Sequence, residues 1–421
     1  MRILLIVHQF FPEFAGGTER VTLNFARMAQ RAGHYVRILA CTVEPAKSRA
    51  HLESSADSFL LEAVHEGIPV SLIRQSDLPN TADIGFDVDP LIVSSLFEWM
   101  AIQRFDVAHV MHSMRMGSAI MAIQKSHIPY VVHLTDFYLP CARVNLVNLQ
   151  NELCEGPDAG IRCALQCAVP PWTVDTYTER YRRTNSILLG ANFRIAPSEY
   201  VADRYRAAYP GISIIVIPHG IDLLAMSAAN NEKLIKIEDK SLELIFIGSI
   251  VPQKGLDILI NAFAKLKHLH IRLKIVGGFY GNSEYQREIL EMASKDSRIK
   301  FFGVLEQQEA YAELKKADLL CLPSRVPESF SLVLHESAAA GVPMLVSDLG
   351  APAHQIALSA CGQVIPSSDA KAWAEAIENV ANDRMLLARW REKLFLPLRI
   401  EEEAFFINTI YLQLPSKTVQ D

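Results

Sequence analysis

The chain lacks any apolar run of the roughly 18 residues that a membrane-spanning helix needs, so no spanning helix is expected. It also lacks a dominant charge. Its 41 Lys and Arg stand against 47 Asp and Glu, a net −6, which excludes the concentrated basic footprint of a dedicated nucleic-acid binder. Glycine and proline form no tract, at 20 and 21 residues in 421, which excludes collagen-like and low-complexity chains. The opening run Ile3-Leu4-Leu5-Ile6-Val7 is too short for the apolar core of a signal peptide and reads as a buried strand. Seven cysteines are an odd number in a long chain, so reduced thiols and a cytoplasmic location are expected. Half of the residues are hydrophobic, enough for more than one sizeable core. At roughly 150 residues per domain, the length suggests about two or three domains.

What is present is an alternation of short apolar runs and helical patterns. After residues 3–7, Pro12, Gly16 and Gly17 make a turn. Val21, Phe25 and Met28 then recur at helical spacing until Gly33, and residues 35–40 form the next strand. This is one βαβ unit. Residues 107–111, 130–134, 186–189 and 194–196 read as further strands of that sheet, with helices near 116–125 and 199–208. A second series opens at 214–217 and runs through strands at 244–247, 273–276, 299–301, 319–322 and 344–346, with a helix over 256–266. Strands alternating with helices imply parallel sheets. The fold class is therefore α/β, with two Rossmann-like doubly wound domains facing across a cleft. Ligands are expected at the carboxyl ends of the two sheets. The boundary is expected near residue 212, giving domains 1–212 and 213–393, with residues 230–241 as a surface loop.

The most informative stretch follows the strand at 319–322. It reads Pro323-Ser324-Arg325-Val326-Pro327-Glu328-Ser329-Phe330-Ser331 and continues through Glu336 to Gly341 and Pro343. Pro327 forces an extended entry, and Ser329 and Ser331 are placed to cap the helix that follows. Backbone N–H groups at that helix start suit a phosphate. Glu328 precedes this anion site and Glu336 lies on the order of 9 Å along the helix at 1.5 Å per residue. Two carboxylates so spaced can accept hydrogen bonds from vicinal hydroxyls at two ends of one ligand, as sugars and riboses offer.

This segment resembles the E-x7-E motif of retaining glycosyltransferases of GT-B family 4. The resemblance spans most of the chain. It includes residues 1–40 with Gly16-Gly17, Ala196-Pro197-Ser198-Glu199, Pro218-His219-Gly220-Ile221-Asp222, Gly248-Ser249 with Lys254-Gly255, and Gly350. It implies that Glu328 binds donor-sugar hydroxyls and Glu336 the ribose. The backbone of Ser329, Phe330 and Ser331 would hold the diphosphate, Lys254 would neutralise it, and Gly17 would let the first loop approach it closely. A fixed cation and a helix N-terminus stabilise the departing diphosphate without a metal, so no catalytic cofactor is expected. The terminal segment 394–421 is expected to cross back onto the first domain, as in similar proteins. Two departures stand out. Ser249 occupies a position usually held by Arg. The usual His-Asp pair after the strand at 130–134 is here Thr135-Asp136, which leaves Asp136 as the acceptor-side candidate. His109, His112 and His133 are nearby and read as structural or positioning residues.

Cys141, Cys154, Cys163 and Cys167 cluster in an insert at 137–170 with C-x12-C-x8-C-x3-C spacing. Four thiolates can close a structural zinc site or hold an iron–sulfur cluster; four reduced thiols in a loop is the equal alternative. Residues 180–206 carry six arginines against Glu199 and Asp203. Such a stretch is either a solvated helix face or a patch for anionic lipid at the inner face of a membrane. The expected function is transfer of a sugar from a nucleoside-diphosphate donor to a saccharide or lipid-linked acceptor, in polysaccharide or glycolipid assembly. The rivals are a sugar-nucleotide epimerase on the same plan and an inactive nucleotide-sugar-binding partner protein.

Overall fold

The computed structural model describes residues 1–43, 59–79, 88–229, 241–266 and 270–415. The chain divides into two compact units, Met1–Gly220 with Ile400 onward, and Ile221–Arg399. Each is built on one twisted sheet with helices.

In the first unit the strands are β1 (Arg2–Ile6), β2 (Tyr35–Thr42), β3 (Leu61–His65), β4 (Ile68–Arg74), β5 (Val107–Val110), β6 (Tyr130–His133), β7 (Phe193–Ala196) and β8 (Ile215–Val216). Their order is β3-β4-β2-β1-β5-β6-β7-β8, parallel except for the antiparallel β3–β4 pair. Ile3, Leu4, Leu5 and Ile6 of β1 are fully buried, as expected of a central strand covered on both faces. Helix Gly17–Arg31 packs against the returning helix Ile400–Tyr411.

In the second unit the strands are β9 (Leu242–Ile247), β10 (Ile271–Val276), β11 (Ile299–Gly303), β12 (Leu319–Leu322), β13 (Met344–Ser347) and β14 (Gly362–Ile365), in the fully parallel order β11-β10-β9-β12-β13-β14. Alternate residues feed two cores. Leu244, Phe246, Leu319 and Cys321 enter one with Trp373, while Ile245, Leu320, Leu322 and Val346 enter the other with Leu334.

Several expectations change. Residues 214–217 do not open the second series. Ile215 and Val216 pair with Ile195 and Ala196 as the edge of the first sheet, so the boundary moves from 212 to Gly220. Residues 186–189 are not a strand but the last turn of helix Val174–Gly190, where Ile187 and Leu188 are the buried face and Leu189 is exposed. The returning segment begins at Ile400 rather than 394, because Leu394 and Phe395 pack into the second unit's core. Residues 230–240, expected as a loop, and 416–421 lie outside the described residues.

The basic stretch is largely engaged within the protein. Arg180 is buried and donates to the Leu139 and Tyr138 carbonyls, and Arg194 donates to those of Leu188 and Ala191. Arg182 and Arg183 pair with Glu179, and Arg206 with Glu199 and Asp203. Arg204 lies over the Tyr200 ring.

Trp373 is fully buried, and among the described residues nothing accepts from its indole N–H. Trp373→Ala is expected to destabilise the second unit by about 3–5 kcal/mol in denaturant unfolding. Trp373→Phe, which removes no hydrogen bond, is expected to cost markedly less.

Candidate active site

The second unit assembles its polar site by locking two loops together after β9 and β12. Gly255 closes the short turn Pro252–Lys254 with φ +65°, and a Cβ there would lie 2.0 Å from the Pro323 carbonyl oxygen. Arg325 ties the same two loops. Its N–H donates to the Gln253 carbonyl at 2.8 Å, and its guanidinium reaches the Pro252 carbonyl at 3.2 Å and Asp257 Oδ1 at 2.6 Å. This fork-on-carboxylate contact fixes the turn that carries Lys254.

Lys254 Nζ stands 2.9 Å from Glu328 Oε1, with side-chain exposures of 34% and 12%. The Ser324 hydroxyl donates to the same oxygen, and the Ser331 hydroxyl also bonds the carboxylate. Burial would raise the Glu328 carboxyl, but the charge of Lys254 and these hydrogen bonds outweigh it and hold the group below the usual glutamate range. The backbone of Glu328 is seated against Gly350, at φ +76°. A Cβ there would fall 2.4 Å from the Glu328 nitrogen, and the Ala351 N–H donates to the Glu328 carbonyl at 2.8 Å.

Ser331 precedes helix Leu332–Ala339 with φ 71°, an uncommon conformation for a non-glycine residue. Ser331 does not cap that helix as expected: it makes no side-chain cap bond, and its hydroxyl turns to Glu328 instead. The loop is braced by Phe330, buried and stacked on His335 at 3.8 Å, while His335 Nδ1 donates to the Ser331 carbonyl at 3.0 Å. The first helical N–H groups have no intrahelical acceptors. Glu336 lies on the helix and accepts from Tyr311 Oη at 3.1 Å, and Tyr311 in turn accepts from Gln307 at 2.7 Å. Burial and the Glu336 charge push the Tyr311 phenol up. Ser249 is exposed in the turn after β9.

Thus Lys254, Glu328 and Ser331 come together, joined by Ser324, which the sequence did not single out. Its signal was the hydroxyl four residues before Glu328.

Gly17 and Asp136 belong to the first unit. Gly17 opens helix Gly17–Arg31, with Gly16 as its N-cap. Asp136 Oδ2 meets His112 Nε2 at 2.7 Å, and Oδ1 accepts the Tyr138 N–H at 2.8 Å. His112 Nδ1 accepts from the Met114 N–H at 3.2 Å, so Nε2 carries the proton and donates to Asp136. His112, one of the three histidines read from the sequence as structural or positioning residues, therefore stands beside Asp136. His8 lies against His112 with ring centres 4.0 Å apart, and 3.8 Å from Glu19 Oε1. Burial, with His112 and Arg115 nearby, holds the His8 imidazole well below its ordinary value. Glu19 is 2% exposed and raised by burial, although backbone N–H groups and Gln9 bond it. His8 and Glu19 were not foreseen. The buried acid two residues after Gly17 is the feature that would have indicated them.

Cys141 and Cys154 are buried, Cys163 and Cys167 half-buried, and all four are free thiols. Backbone N–H groups of Arg143 and Leu146 point at Cys141, that of Leu149 at Cys167, and that of Gly156 reaches Cys154 Sγ at 3.4 Å. Burial and the neighbouring Cys141 push the Cys163 thiol up to about 12. Among the described residues no three of these thiols lie mutually within 4.8 Å.

The sequence matches Glycosyltransferase Family 4 over residues 15–223 and Glycosyl transferases group 1 over 228–394. It is 25% identical over 394 residues to the phosphatidyl-myo-inositol mannosyltransferase of Mycobacterium leprae, covering 93% of this chain and 90% of that one. Among solved structures, Anabaena HepE in complex with UDP and glucose superposes with a TM-score of 0.70 at 16% identity, over 98% of this chain and 100% of that one. Sucrose-phosphate synthase from Thermosynechococcus elongatus gives 0.70 at 18% identity over 98% of each chain. The fold is that of the GT-B glycosyltransferases, and the chain belongs to their family 4.

Two outcomes check this geometry. Gly350→Ala is expected to destabilise the second unit by about 2 kcal/mol or more, measured by chemical unfolding, because it adds both strain and a backbone clash. Because the folded-state pKa of Glu328 is depressed, its stabilising contribution is complete above the ordinary glutamate value of about 4.3. That contribution is lost as pH falls through the lower folded value. Glu328→Gln should therefore flatten the acid limb of the stability–pH curve.

Proposed function

We propose that this glycosyltransferase moves a hexosyl group from a nucleoside-diphosphate sugar to an acceptor hydroxyl with retention of anomeric configuration. The observation that carries the reading is the Lys254–Glu328 contact of 2.9 Å beside the start of helix Leu332–Ala339. When the donor binds, Lys254 leaves Glu328 for the diphosphate, and the released carboxylate accepts hydrogen bonds from the sugar hydroxyls. Backbone N–H groups at Ser329, Phe330 and Ser331 hold the diphosphate, and Glu336 accepts from the ribose. The bond from the anomeric carbon to the phosphate oxygen breaks and the bond to the acceptor oxygen forms on the same face. The acceptor proton passes to the departing phosphate. The fixed ammonium and the helix start stabilise the charge that builds there.

On the acceptor side Asp136, held by His112, orients the incoming hydroxyl. The mannosyltransferase relative acts on a phosphatidyl-inositol, and the Anabaena structure holds UDP; both support a sugar-nucleotide donor and a polyol hydroxyl as acceptor. No described helix is long and apolar enough to cross a membrane, so a lipid-linked acceptor would be met at a membrane surface. The four cysteines hold a structural zinc in this reading, with the backbone N–H groups at Cys141, Cys154 and Cys167 as its supporting hydrogen bonds. The loop would tighten around the ion.

Thermal-shift screening of UDP-, GDP- and ADP-sugars, followed by turnover with the best donor, tests the main reading. Glu328→Gln and Lys254→Ala are each expected to lower kcat by about 10²–10³-fold, the scale of losing one preorganised electrostatic contact. Nucleotide binding without any turnover would point to an inactive binder. Inversion in the NMR anomeric coupling of the product would overturn the stereochemistry. Blocking thiols with a mercurial should release one equivalent of zinc; release of none would remove the zinc assignment.

A further inference from the structure

A second constellation lies in the first unit, around His109 and His133, which the sequence reading took only as structural or positioning residues. His133 ends β6, His219 precedes Gly220 in the irregular segment after β8, and Glu403 comes from the returning helix Ile400–Tyr411. They are 3%, 4% and 4% exposed, and one ligating atom from each lies within 4.8 Å of the others. We propose that His133, His219 and Glu403 bind one divalent transition-metal ion of the zinc class, with His109 beside them as a further imidazole.

Four observations carry the assignment. First, His133 is buried with neither ring nitrogen bonded, and His109 Nε2 is likewise unpartnered. A neutral imidazole has one acceptor and one donor nitrogen, and leaving buried polar atoms unmet is unfavourable, so these nitrogens suit a partner of polar or Lewis-acid character.

Second, the ring spacing suits a shared ion. With metal–nitrogen bonds of about 2.1 Å, two imidazoles on one tetrahedral ion have ring centres on the order of 5 Å apart. His133 and His219 are 4.9 Å apart, and His109 and His133 are 5.5 Å apart.

Third, the carboxylate is already oriented as a ligand. Glu403 Oε2 accepts the Gly220 N–H at 2.8 Å, while Oε1 meets His219 Nδ1 at 2.9 Å. A metal taking Oε1 and Nδ1 as ligands moves the ring proton between them to Nε2, the other tautomer of the neutral imidazole, so both ligand atoms become available without leaving a charge uncompensated.

Fourth, the donor chemistry selects the metal. Imidazoles with one carboxylate favour zinc, cobalt, nickel or ferrous iron over magnesium and calcium, which prefer oxygen. Drawing the three ligand atoms from within 4.8 Å to the spacing of a shared ion is a side-chain adjustment. The ion would join β6, the segment after β8 at His219 and the returning helix in one cross-link.

The test titrates the chelator-treated full-length chain with Co²⁺. The expected result is one equivalent whose visible d–d bands come without thiolate-to-cobalt charge transfer, which separates it from any ion on the cysteines. His133→Gln should weaken that equivalent by roughly tenfold or more, since even supporting residues of a metal site typically contribute 10–100-fold. Absence of a thiolate-free equivalent in the wild-type chain overturns the proposal, whatever the variant does. So does unchanged binding of that equivalent in a folded His133→Gln protein. Should that variant not fold, Glu403→Gln gives the same reading, and unchanged binding there would likewise overturn it.

Discussion

The second unit's polar site rests on one partly screened ion pair, Lys254 with Glu328. Neither residue would hold its position alone. The lysine rides on a three-residue turn, and the glutamate sits in a loop directly after Pro327. What fixes both is the clamp made by Gly255, Arg325 and Gly350, where missing side chains let backbones approach and one guanidinium spans two loops. Glycine and arginine therefore act as a pair. The glycines remove bulk so the loops can touch, and the arginine supplies the directional bonds that fix their register.

The conformation around this pair follows from the same constraint. Ser331 adopts a left-handed backbone at the entry to its helix and spends its hydroxyl on Glu328 rather than on a cap. Such a residue persists only where its surroundings over-determine it, and here the Phe330–His335 stack and the His335 bond to the Ser331 carbonyl do so. The helix start is kept open at the expense of local preference. The first unit has a comparable tension in Glu19, a carboxyl kept nearly out of water beside His8.

Much of this was legible from residue order. Continuous apolar strands such as residues 3–6 and 319–322 declared the two parallel sheets, and the proline-and-serine frame drew attention to Glu328 and Glu336. What the sequence hid was of two kinds. Short edge elements lack a decisive period: Ile215 and Val216 look like the start of something new, and only pairing with β7 assigns them to the first sheet. Likewise 186–189 is apolar enough for a strand, yet it closes a long helix whose other face is charged. The second kind is long-range partnership. His219 and Glu403 are 184 residues apart, a distance over which spacing carries no information, whereas His112 is already among the histidines read as structural or positioning residues near Asp136.

The division of the chain has a consequence for biosynthesis. Residues 221–399 form a unit interposed within another, whose closing helix Ile400–Tyr411 packs on the helix begun at Gly17. A ribosome emitting the chain from its N-terminus delivers every strand of the first sheet early, but the last packing partner only after nearly everything else has emerged. The inserted unit can thus complete its core before the one that encloses it. Until the returning helix emerges, Phe25 packs on His109 of the sheet but waits for the Tyr411 ring that completes its surroundings.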